Sequence, residues 1–379
     1  MRTLLLYTLS SILAYNLYEK LSFVEFTLFH HSFEILGGSE RVAVAVLNVM
    51  KSLGYQVTLI TLSEINKEKI KKWDPRFVDP DKIVIKKFPL KFGIYKALYL
   101  SLMTKKERSF STIGDITWSD YSYIHFPWSL TDNLKYIDNY YKYESYIGNR
   151  KLRMYYLPYK YIHRMFFRKS KTKLLANSNW TRRILEISGY RAETLYPPVD
   201  ISRIKIKSSN RDPKLVVYIG RISPEKNIEN IIEVAKRMKD YKFVILGSEG
   251  RNKKYINYIL NNSKNLNNIF IRKNPDDTEI IDYFSKAKIY FHPKINEHFG
   301  ISIVEAMAAG LTPVVHKSGG AWYDIIEEGK YGIGYCDIDS AIDGIKKASS
   351  IEFDYSKKIY QFSFENFKKN LSSILEKIS

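Results

Sequence analysis

Two glutamates stand out in the stretch NEHFGISIVEAMAAG, which covers residues 296–310. Glu297 directly precedes an apolar run and Glu305 lies inside it, where a buried carboxylate is unfavourable unless it has a partner or a function. Backbone N–H groups at a helix N-terminus bind anions, and carboxylates accept hydrogen bonds from hydroxyl groups. Donors for phosphate beside acceptors for hydroxyls suit a sugar nucleotide, although Glu297 could also simply complement a helix dipole.

A strand, a loop and a helix are predicted to position this pair. AKIYFHPK ends as a strand at residue 294, and a helix is predicted over residues 302–309, closed by Gly310. Glu305 would then lie near the first turn of that helix. The backbone N–H groups expected to face a phosphate belong to His298, Phe299, Gly300 and Ile301.

Similar strand–turn–helix–strand patterns occur on both sides of a Pro-Pro pair at residues 197–198. The first pattern consists of the strand VEFTLFHHSF, a Gly-Gly turn, an apolar helix and the strand QVTLITL. The second consists of the strand KLVVYIG, a helix predicted to be capped by Asn227, and the strand YKFVILG. The predicted fold is α/β, with two Rossmann-like doubly wound domains facing a central cleft in which the ligand binds. The predicted segments are an apolar N-terminal segment 1–21, domains at 22–200 and 201–354, and a C-terminal segment 355–379, in which one amphipathic helix is predicted over residues 355–375.

Composition limits the class of protein. The chain has 379 residues, with 60 Lys+Arg against 40 Asp+Glu, a formal charge of +20. Such charge favours nucleic acid, an anionic membrane or a phosphorylated substrate as a partner, although a general compositional bias would explain it equally well. One cysteine, Cys336, excludes an internal disulfide.

Two segments are candidates for membrane contact. Between Arg2 and Glu19 lie 16 uncharged residues, too few to span a bilayer, so a helix at the membrane interface is the functional prediction and a buried helix the alternative. Residues 150–173 contain nine Lys or Arg, no acidic residue and six Tyr or Phe. This pattern suits an anionic interface, or else a basic helix packed over the first domain.

Five motifs follow one another in a recognisable order. They are GGSER at 37–41, ANSNWT at 176–181, YPPVD at 196–200, GRISPEKN at 220–227 and EHFGISIVEAMAAG at 297–310, followed by SGG at 318–320. On these motifs the chain resembles glycosyltransferase family 4, the retaining transferases of GT-B fold. EHFG with VVHKSGG is most similar to the alpha-1,2-mannosyltransferase branch, which assembles dolichol-linked oligosaccharide, and HFPW at 125–128 and ANSNWT point the same way. The family resemblance also implies that the C-terminal helix crosses back onto the first domain.

The resemblance implies which residues hold the donor phosphates. Arg221 and Lys226, expected in the loop after strand 214–220, would bind the diphosphate and stabilise it as the leaving group. Gly37 and Gly38 would let the backbone approach the same phosphates at a helix N-terminus.

The resemblance also implies which residues face the sugar. Glu305 would hydrogen-bond the ribose hydroxyls, Glu297 would hold the transferred sugar, and His125 would face that sugar from the first domain. Three other histidines are expected to be structural: His30, His31 and His163.

The predicted function is retaining transfer of a hexose, first of all mannose from GDP-mannose, onto a lipid-linked oligosaccharide or glycolipid. The alternatives are transfer from UDP-glucose or UDP-N-acetylglucosamine to another glycan, a nucleotide-sugar epimerase or a phosphorylase, and a basic nucleic-acid-binding protein. A phosphorylase is disfavoured because no pyridoxal-binding lysine site is recognised in the sequence. No cofactor or metal is expected, since the D-x-D of Asp337 and Asp339 is predicted to cap a helix. The expected partners are the donor, a polyprenyl-linked acceptor and an anionic membrane surface, with the protein peripheral or monotopic on the cytoplasmic face.

Overall fold

The structure is a computed structural model that describes residues 24–88, 93–131, 150–204, 206, 210–250 and 252–376. The N-terminal segment 1–21 lies outside the described residues. The chain divides into two compact units, one of residues 1–123, 169–173 and 370–379, the other of residues 124–168 and 174–369. The domain boundaries predicted at residues 200 and 354 stay predictions.

The first sheet has seven strands: β1 (Glu25–Phe29), β2 (Gln56–Thr61), β3 (Lys82–Ile85), β4 (Ser109–Ser111), β5 (Tyr121–Ile124), β6 (Lys173–Ala176) and β7 (Ala192–Thr194). Its order is β3-β2-β1-β4-β5-β6-β7. β1 pairs in parallel with β2 and β4, so that Thr27 lies opposite both Thr58 and Ser109. The chain therefore reverses its direction of strand addition at β1, and the carboxyl ends of β1 and β4 lie side by side at this switch point.

The second sheet repeats this arrangement with six strands: β8 (Asp212–Ile222), β9 (Lys242–Glu249), β10 (Ile269–Lys273), β11 (Ala287–His292), β12 (Thr312–His316) and β13 (Ile333–Tyr335). Its order is β10-β9-β8-β11-β12-β13, and all its pairs are parallel. The switch point lies between β8 and β11. The two predicted Rossmann-like, doubly wound sheets are thus confirmed.

Twelve α-helices lie in the described ranges: α1 (Gly38–Ser52), α2 (Lys67–Trp73), α3 (Gly93–Leu102), α4 (Arg150–Phe167), α5 (Asn179–Ile187), α6 (Glu229–Arg237), α7 (Lys253–Ser263), α8 (Asp277–Lys286), α9 (Ile301–Ala308), α10 (Ile338–Ala348), α11 (Ser356–Tyr360) and α12 (Phe364–Leu375). Side-chain caps explain where several of them begin. Ser178 and Asp276 accept the backbone N–H three residues later at the starts of α5 and α8. None of the described helices is long and apolar enough to cross a membrane.

Alternating side chains of β8 place the second sheet inside two apolar layers. Val216 and Tyr218 pack with helices α6, α7 and α10 on one face, while Leu215 and Val217 pack with α8 and α9 on the other. A strand that is covered on both faces must be apolar throughout, which is why KLVVYI shows no polar alternation.

The C-terminal segment differs from the prediction of one amphipathic helix over residues 355–375. It contains two helices, α11 and α12, separated at residues 361–363. The backbone N–H of Val199 donates to the carbonyl of Phe362 (2.8 Å), and Val199 forms a parallel bridge with Ser363. A segment that is paired in this extended way cannot remain helical, so the single-helix prediction is wrong.

Candidate active site

The carboxyl end of β8 carries the two predicted phosphate-binding cations in different settings. The prediction that Arg221 lies in a loop is wrong. It lies in β8, because the ladder between β8 and β9 continues and pairs Arg221 with Ser248. Its side chain is exposed and lies 3.6 Å from Glu225. Lys226 does lie beyond the strand, in a single 3-10 turn, Pro224–Lys226.

Asn227 does not cap the next helix. Its backbone is left-handed (φ 52°), and α6 begins two residues later without a side-chain cap. Oδ1 of Asn227 instead accepts the backbone N–H of Ile295 at 3.4 Å. This residue therefore links the turn after β8 to the loop after β11.

Glu297 is buried in that loop and accepts hydrogen bonds from several side chains. Oε2 accepts hydrogen bonds from Nζ of Lys226 at 2.8 Å and from Nε2 of His292 at 3.0 Å. Oε1 accepts hydrogen bonds from Nζ of Lys294 at 2.9 Å and from the backbone N–H of His298 at 3.2 Å. One carboxylate is thus shared by two lysines and a histidine at the switch point of the second sheet.

Charge explains the protonation states of this cluster. Burial opposes ionisation of Glu297, but the charges of Lys226 and Lys294 and the hydrogen bond from His292 outweigh it, so the pKa of Glu297 is held well below its usual range. Burial also lowers the pKa of His292, against the attraction of Glu297. Burial lowers the pKa of Lys294 to about 8, partly opposed by Glu297. At neutral pH Glu297 is therefore the anion of this cluster and His292 a neutral imidazole.

The SGG motif holds the loop that carries Glu297. Oγ of Ser318 accepts the backbone N–H of Asn296 at 2.8 Å, and the N–H of Gly320 donates to the carbonyl of Glu297 at 2.7 Å. Gly319 has φ +70°, and a Cβ there would lie 2.4 Å from that same carbonyl oxygen. Only glycine allows this approach.

Gly320→Ala should therefore displace the Glu297 loop, since a Cβ at this position would lie 2.3 Å from the carbonyl oxygen of His298. We expect a loss of about 1–3 kcal/mol in the free energy of unfolding, as for other overpacked sites. Gly93→Ala is the matched control, because a Cβ at Gly93 meets nothing within 4 Å. Chemical denaturation of both variants measures the difference, and equal stabilities would contradict this role for the motif.

His298 joins the Glu297 loop to an aromatic group. Its ring stacks on Phe126 with centroids 4.0 Å apart and planes 6° apart, and is nearly parallel to Trp180 at 6.1 Å. Trp128 meets the ring edge-on at 6.2 Å. Burial holds the pKa of His298 well below its usual range, so the ring is neutral. The motifs HFPW, ANSNWT and EHFG thus come together within the second unit.

A buried carboxylate holds Trp180 in this stack. Asp324 accepts the backbone N–H of Asn179 at 2.6 Å and of Trp180 at 3.1 Å, and the hydroxyl of Tyr196 at 2.9 Å. Burial raises the pKa of the Asp324 carboxyl, and these hydrogen bonds at the N-terminus of α5 oppose that rise.

His125 directly follows β5 and precedes the stacked Phe126. Its backbone carbonyl accepts Nδ2 of Asn177 at 2.9 Å, so the turn after β5 is tied to the turn after β6. The role predicted for His125, to face the transferred sugar, stays a prediction.

The helix after the loop begins close to its predicted start. Gly300 precedes α9 with φ +113°, and Glu305, the fifth residue of α9, is buried. Oε1 of Glu305 lies 3.8 Å from a guanidinium nitrogen of Arg203.

Among the predicted phosphate-binding backbone groups, the N–H of His298 is already engaged by Glu297, and the side chain of Phe299 packs in the apolar core. Those N–H groups are therefore not all free, and their role stays a prediction.

Gly37 and Gly38 lie in the first unit, at the start of α1. Gly37 is extended (φ −161°) and precedes the helix, and a Cβ there would lie 3.3 Å from a carboxylate oxygen of Glu40. Their expected contact with donor phosphates stays a prediction.

The D-x-D pair belongs to a helix cap, as predicted. Asp337 precedes α10 and accepts the N–H of Ser340 at 2.8 Å in a capping box, whereas Asp339 pairs with Arg237.

Sequence reasoning missed Lys294 and His292, which complete the Glu297 cluster. The signal that could have found Lys294 is its spacing, since a basic residue three positions before a buried glutamate lies within reach of it in a tight loop. His292 is the last residue of β11, at the strand end where ligands bind in such folds.

Comparison with known proteins shows similarity to glycosyltransferases. Residues 200–364 match the protein family described as "Glycosyl transferases group 1". The mouse GDP-Man:Man(3)GlcNAc(2)-PP-Dol alpha-1,2-mannosyltransferase is 31% identical over 235 residues, which cover 54% of this chain and 47% of that protein. The Xenopus laevis protein of the same name is 27% identical over 287 residues, covering 65% of this chain and 59% of that protein. The chain spans about half the length of the curated relatives it matches.

Solved structures resemble the whole chain at low identity. The glycosyltransferase of Rickettsia africae ESF-5 has a TM-score of 0.64 at 16% identity, covering 94% of this chain and 99% of that one. WaaG, a glycosyltransferase involved in lipopolysaccharide biosynthesis, has a TM-score of 0.62 at 14% identity, covering 94% and 98%. The fold is GT-B. The residues of this chain that match the group 1 family include both Lys226 and Glu297.

Proposed function

We propose that this protein is a retaining glycosyltransferase of family 4 that transfers mannose from GDP-mannose onto a lipid-linked oligosaccharide. One observation carries the proposal: Lys226 and Glu297 meet, 2.8 Å apart, at the carboxyl ends of β8 and β11. In doubly wound sheets this switch point is where nucleotides and their phosphates bind.

Lys226 would stabilise the diphosphate of the donor as it leaves. A diphosphate attracts Lys226 away from Glu297, and Lys294 and His292 remain to hold that carboxylate ionised and oriented. One face of Glu297 could then accept a hydroxyl of the transferred sugar. Arg221, exposed on the same strand end, supplies a second cation.

The reaction that suits these groups breaks the bond between the anomeric carbon and the donor phosphate and forms a bond to an acceptor hydroxyl on the same face. The proton of that hydroxyl goes to the departing phosphate oxygen. Because lysine and arginine side chains offset the charge of the leaving group, we propose that transfer needs no divalent metal and no organic cofactor.

The choice of substrates rests on similarity. The relatives reported above are named for GDP-mannose as donor and a diphospho-dolichol-linked oligosaccharide as acceptor, and the stacked segments 125–128 and 176–181 belong to the motifs that resemble them. We therefore favour GDP-mannose over UDP-glucose and UDP-N-acetylglucosamine, and a polyprenyl-diphosphate glycan as the acceptor.

Purified protein should transfer mannose from GDP-mannose to a polyprenyl-diphosphate oligosaccharide in the presence of EDTA. The measurement is radiolabelled transfer with GDP-mannose, UDP-glucose and UDP-N-acetylglucosamine in parallel, each with and without the chelator. Activity with a UDP donor alone would overturn the donor assignment, and loss of all transfer in EDTA would overturn metal independence. Salt-dependent retention on DNA without transfer from any donor would instead favour a nucleic-acid-binding protein.

The acceptor class implies work at a membrane, and helix α4 supports this. We place the protein on the cytoplasmic face as a peripheral or monotopic protein, with the basic helix α4 against anionic lipid. Met154, Leu157, Tyr161 and Met165 form an exposed apolar stripe on this helix, between 60% and 71% exposed. Apolar side chains at this spacing beside basic ones are typical of helices that lie in a bilayer interface.

A further inference from the structure

Three side chains that the proposed transfer does not use meet at the switch point of the first sheet. His30 and His31 directly follow β1, and Glu40 lies in the first turn of α1. Oε1 of Glu40 lies 3.7 Å from Nε2 of each histidine. Within the described ranges, these are the three His, Cys, Asp or Glu side chains whose ligand atoms all lie within 4.8 Å of one another.

We propose that His30, His31 and Glu40 form a zinc-binding site. Zinc bound tetrahedrally by imidazole nitrogen and carboxylate oxygen, with bonds of about 2.0–2.1 Å, separates neighbouring ligand atoms by about 3.3–3.4 Å. The two separations from Glu40, 3.7 Å each, need to close by only a few tenths of an ångström, and the ligand atoms of all three residues lie within 4.8 Å of one another. Two imidazoles and a carboxylate are a common ligand set for this ion.

Hydrogen bonding prepares His30 as a ligand. The hydroxyl of Thr112 donates to the carbonyl of Phe29 at 3.1 Å, so it accepts a proton from Nδ1 of His30 at 3.0 Å. Nδ1 then carries the hydrogen, and in the neutral ring Nε2 presents a lone pair towards Glu40. Metal-binding histidines are usually fixed by such a bond from the other ring nitrogen.

That lone pair faces a carboxylate in a buried place. His30 is fully buried and Glu40 is 5% exposed, and Nε2 of His30 has no hydrogen-bond partner among the described residues. The lone pair of Nε2 and the carboxylate oxygen of Glu40 repel each other unless a proton or a metal cation lies between them. A bound metal ion would be that cation.

The remaining geometry gives an ion access and a fixed frame. The side chain of His31 is 37% exposed, so the site opens to solvent and water can complete the coordination. Phe33 packs on the ring of His30 with centroids 4.5 Å apart. Because the ligands flank residues 32–39, a bound ion would join the end of β1 to the start of α1 and stabilise the Gly37–Gly38 turn.

Metal-free full-length protein should take up one zinc ion per chain, and its melting temperature should rise with added zinc. Cobalt(II) provides a second probe, because tetrahedral coordination by His30, His31, Glu40 and water would produce visible absorption bands. His31→Ala and Glu40→Gln should each weaken zinc binding by about 10²-fold or more, at least the loss seen when a supporting group around a metal is removed. His31 is partly exposed, so its replacement keeps the fold.

Glu34→Gln is the matched control, since Glu34 is an exposed carboxylate in the same segment. Its zinc affinity and its zinc-dependent melting temperature should equal those of the wild type. The proposal would be overturned, in favour of an imidazolium–carboxylate pair, if the wild type did not bind zinc. Equal zinc affinity of Glu40→Gln and the wild type would overturn it too. Binding and melting are measured without transfer, so this result is separate from a failure of the proposed function.

Discussion

Lys226→Ala should give a folded protein whose kcat is lower by about 10²-fold or more, because a charge that stabilises the leaving diphosphate is removed. Glu297→Ala should also lower turnover, and in addition it should destabilise the fold. Without Glu297, the buried Lys294 and the largely buried Lys226 face each other with no counter-charge. Removing one partner of a buried ion pair costs about 3–5 kcal/mol of stability. Lys226→Ala should cost less, because the carboxylate of Glu297 keeps Lys294 and His292 as partners.

Denaturant unfolding and single-turnover kinetics separate these two effects. The double variant Glu297→Met/Lys294→Met removes one charge of each sign, so it should recover part of the stability lost in Glu297→Ala without recovering transfer. Lys236→Ala is the matched control, because Lys236 forms an exposed pair with Glu233 and such pairs contribute under about 1 kcal/mol. If both single variants kept wild-type kinetics, Lys226 and Glu297 would not be part of the active site.

Local patterns predicted most of the elements that surround this site. The apolar runs of β1, β2, β8 and β9, the glycine at the end of α9 and the cap at Asp337 were all expected from residue type and spacing. These features depend on neighbours within a few residues, so the sequence contains the information directly. Two doubly wound sheets then follow from alternating strands and helices.

The errors arose where distant residues decide the outcome. Arg221 is in a strand because β9 pairs with it, and the C-terminal helix is broken because Val199 pairs with residues 362–363. Neither partner can be identified from the local sequence. Similarly, no local pattern indicated that His298 would stack on Phe126, which lies 172 positions earlier by numbering (298 minus 126). Tertiary contacts of this kind override local preference.

Charge reversal on helix α4 should release the protein from anionic vesicles. This helix has two distinct faces. Tyr159, His163 and Phe167 are buried on one, at spacings of four residues, whereas the exposed stripe Met154, Leu157, Tyr161 and Met165 occupies the other. Three of the ring-bearing side chains therefore lie in the core, whereas contact of the exposed stripe with lipid stays a prediction, which the contiguous apolar surface of the stripe supports.

Basic residues beside the stripe supply the attraction to lipid phosphates. Exposed arginines near both ends of α4 include Arg150, Arg153 and Arg168. At about 1 kcal/mol for each basic residue near an anionic surface, reversing three of them removes the attraction and replaces it with repulsion. Substituting serine in the stripe should weaken binding even at low salt, because burial of the apolar side chains is lost.

Liposome flotation of the full-length protein tests both contributions. Wild type should float with vesicles that contain anionic lipid and be released in high salt. The charge variant changes three residues to glutamate, Arg150, Arg153 and Arg168, and the stripe variant changes three to serine, Leu157, Tyr161 and Met165. The matched control reverses three exposed lysines elsewhere, Lys239, Lys253 and Lys254, and should float like the wild type because only local charge near the stripe acts within a Debye length of about 8–10 Å. Equal flotation of all four proteins would exclude α4 as the docking face and leave residues 1–21 as the remaining candidate.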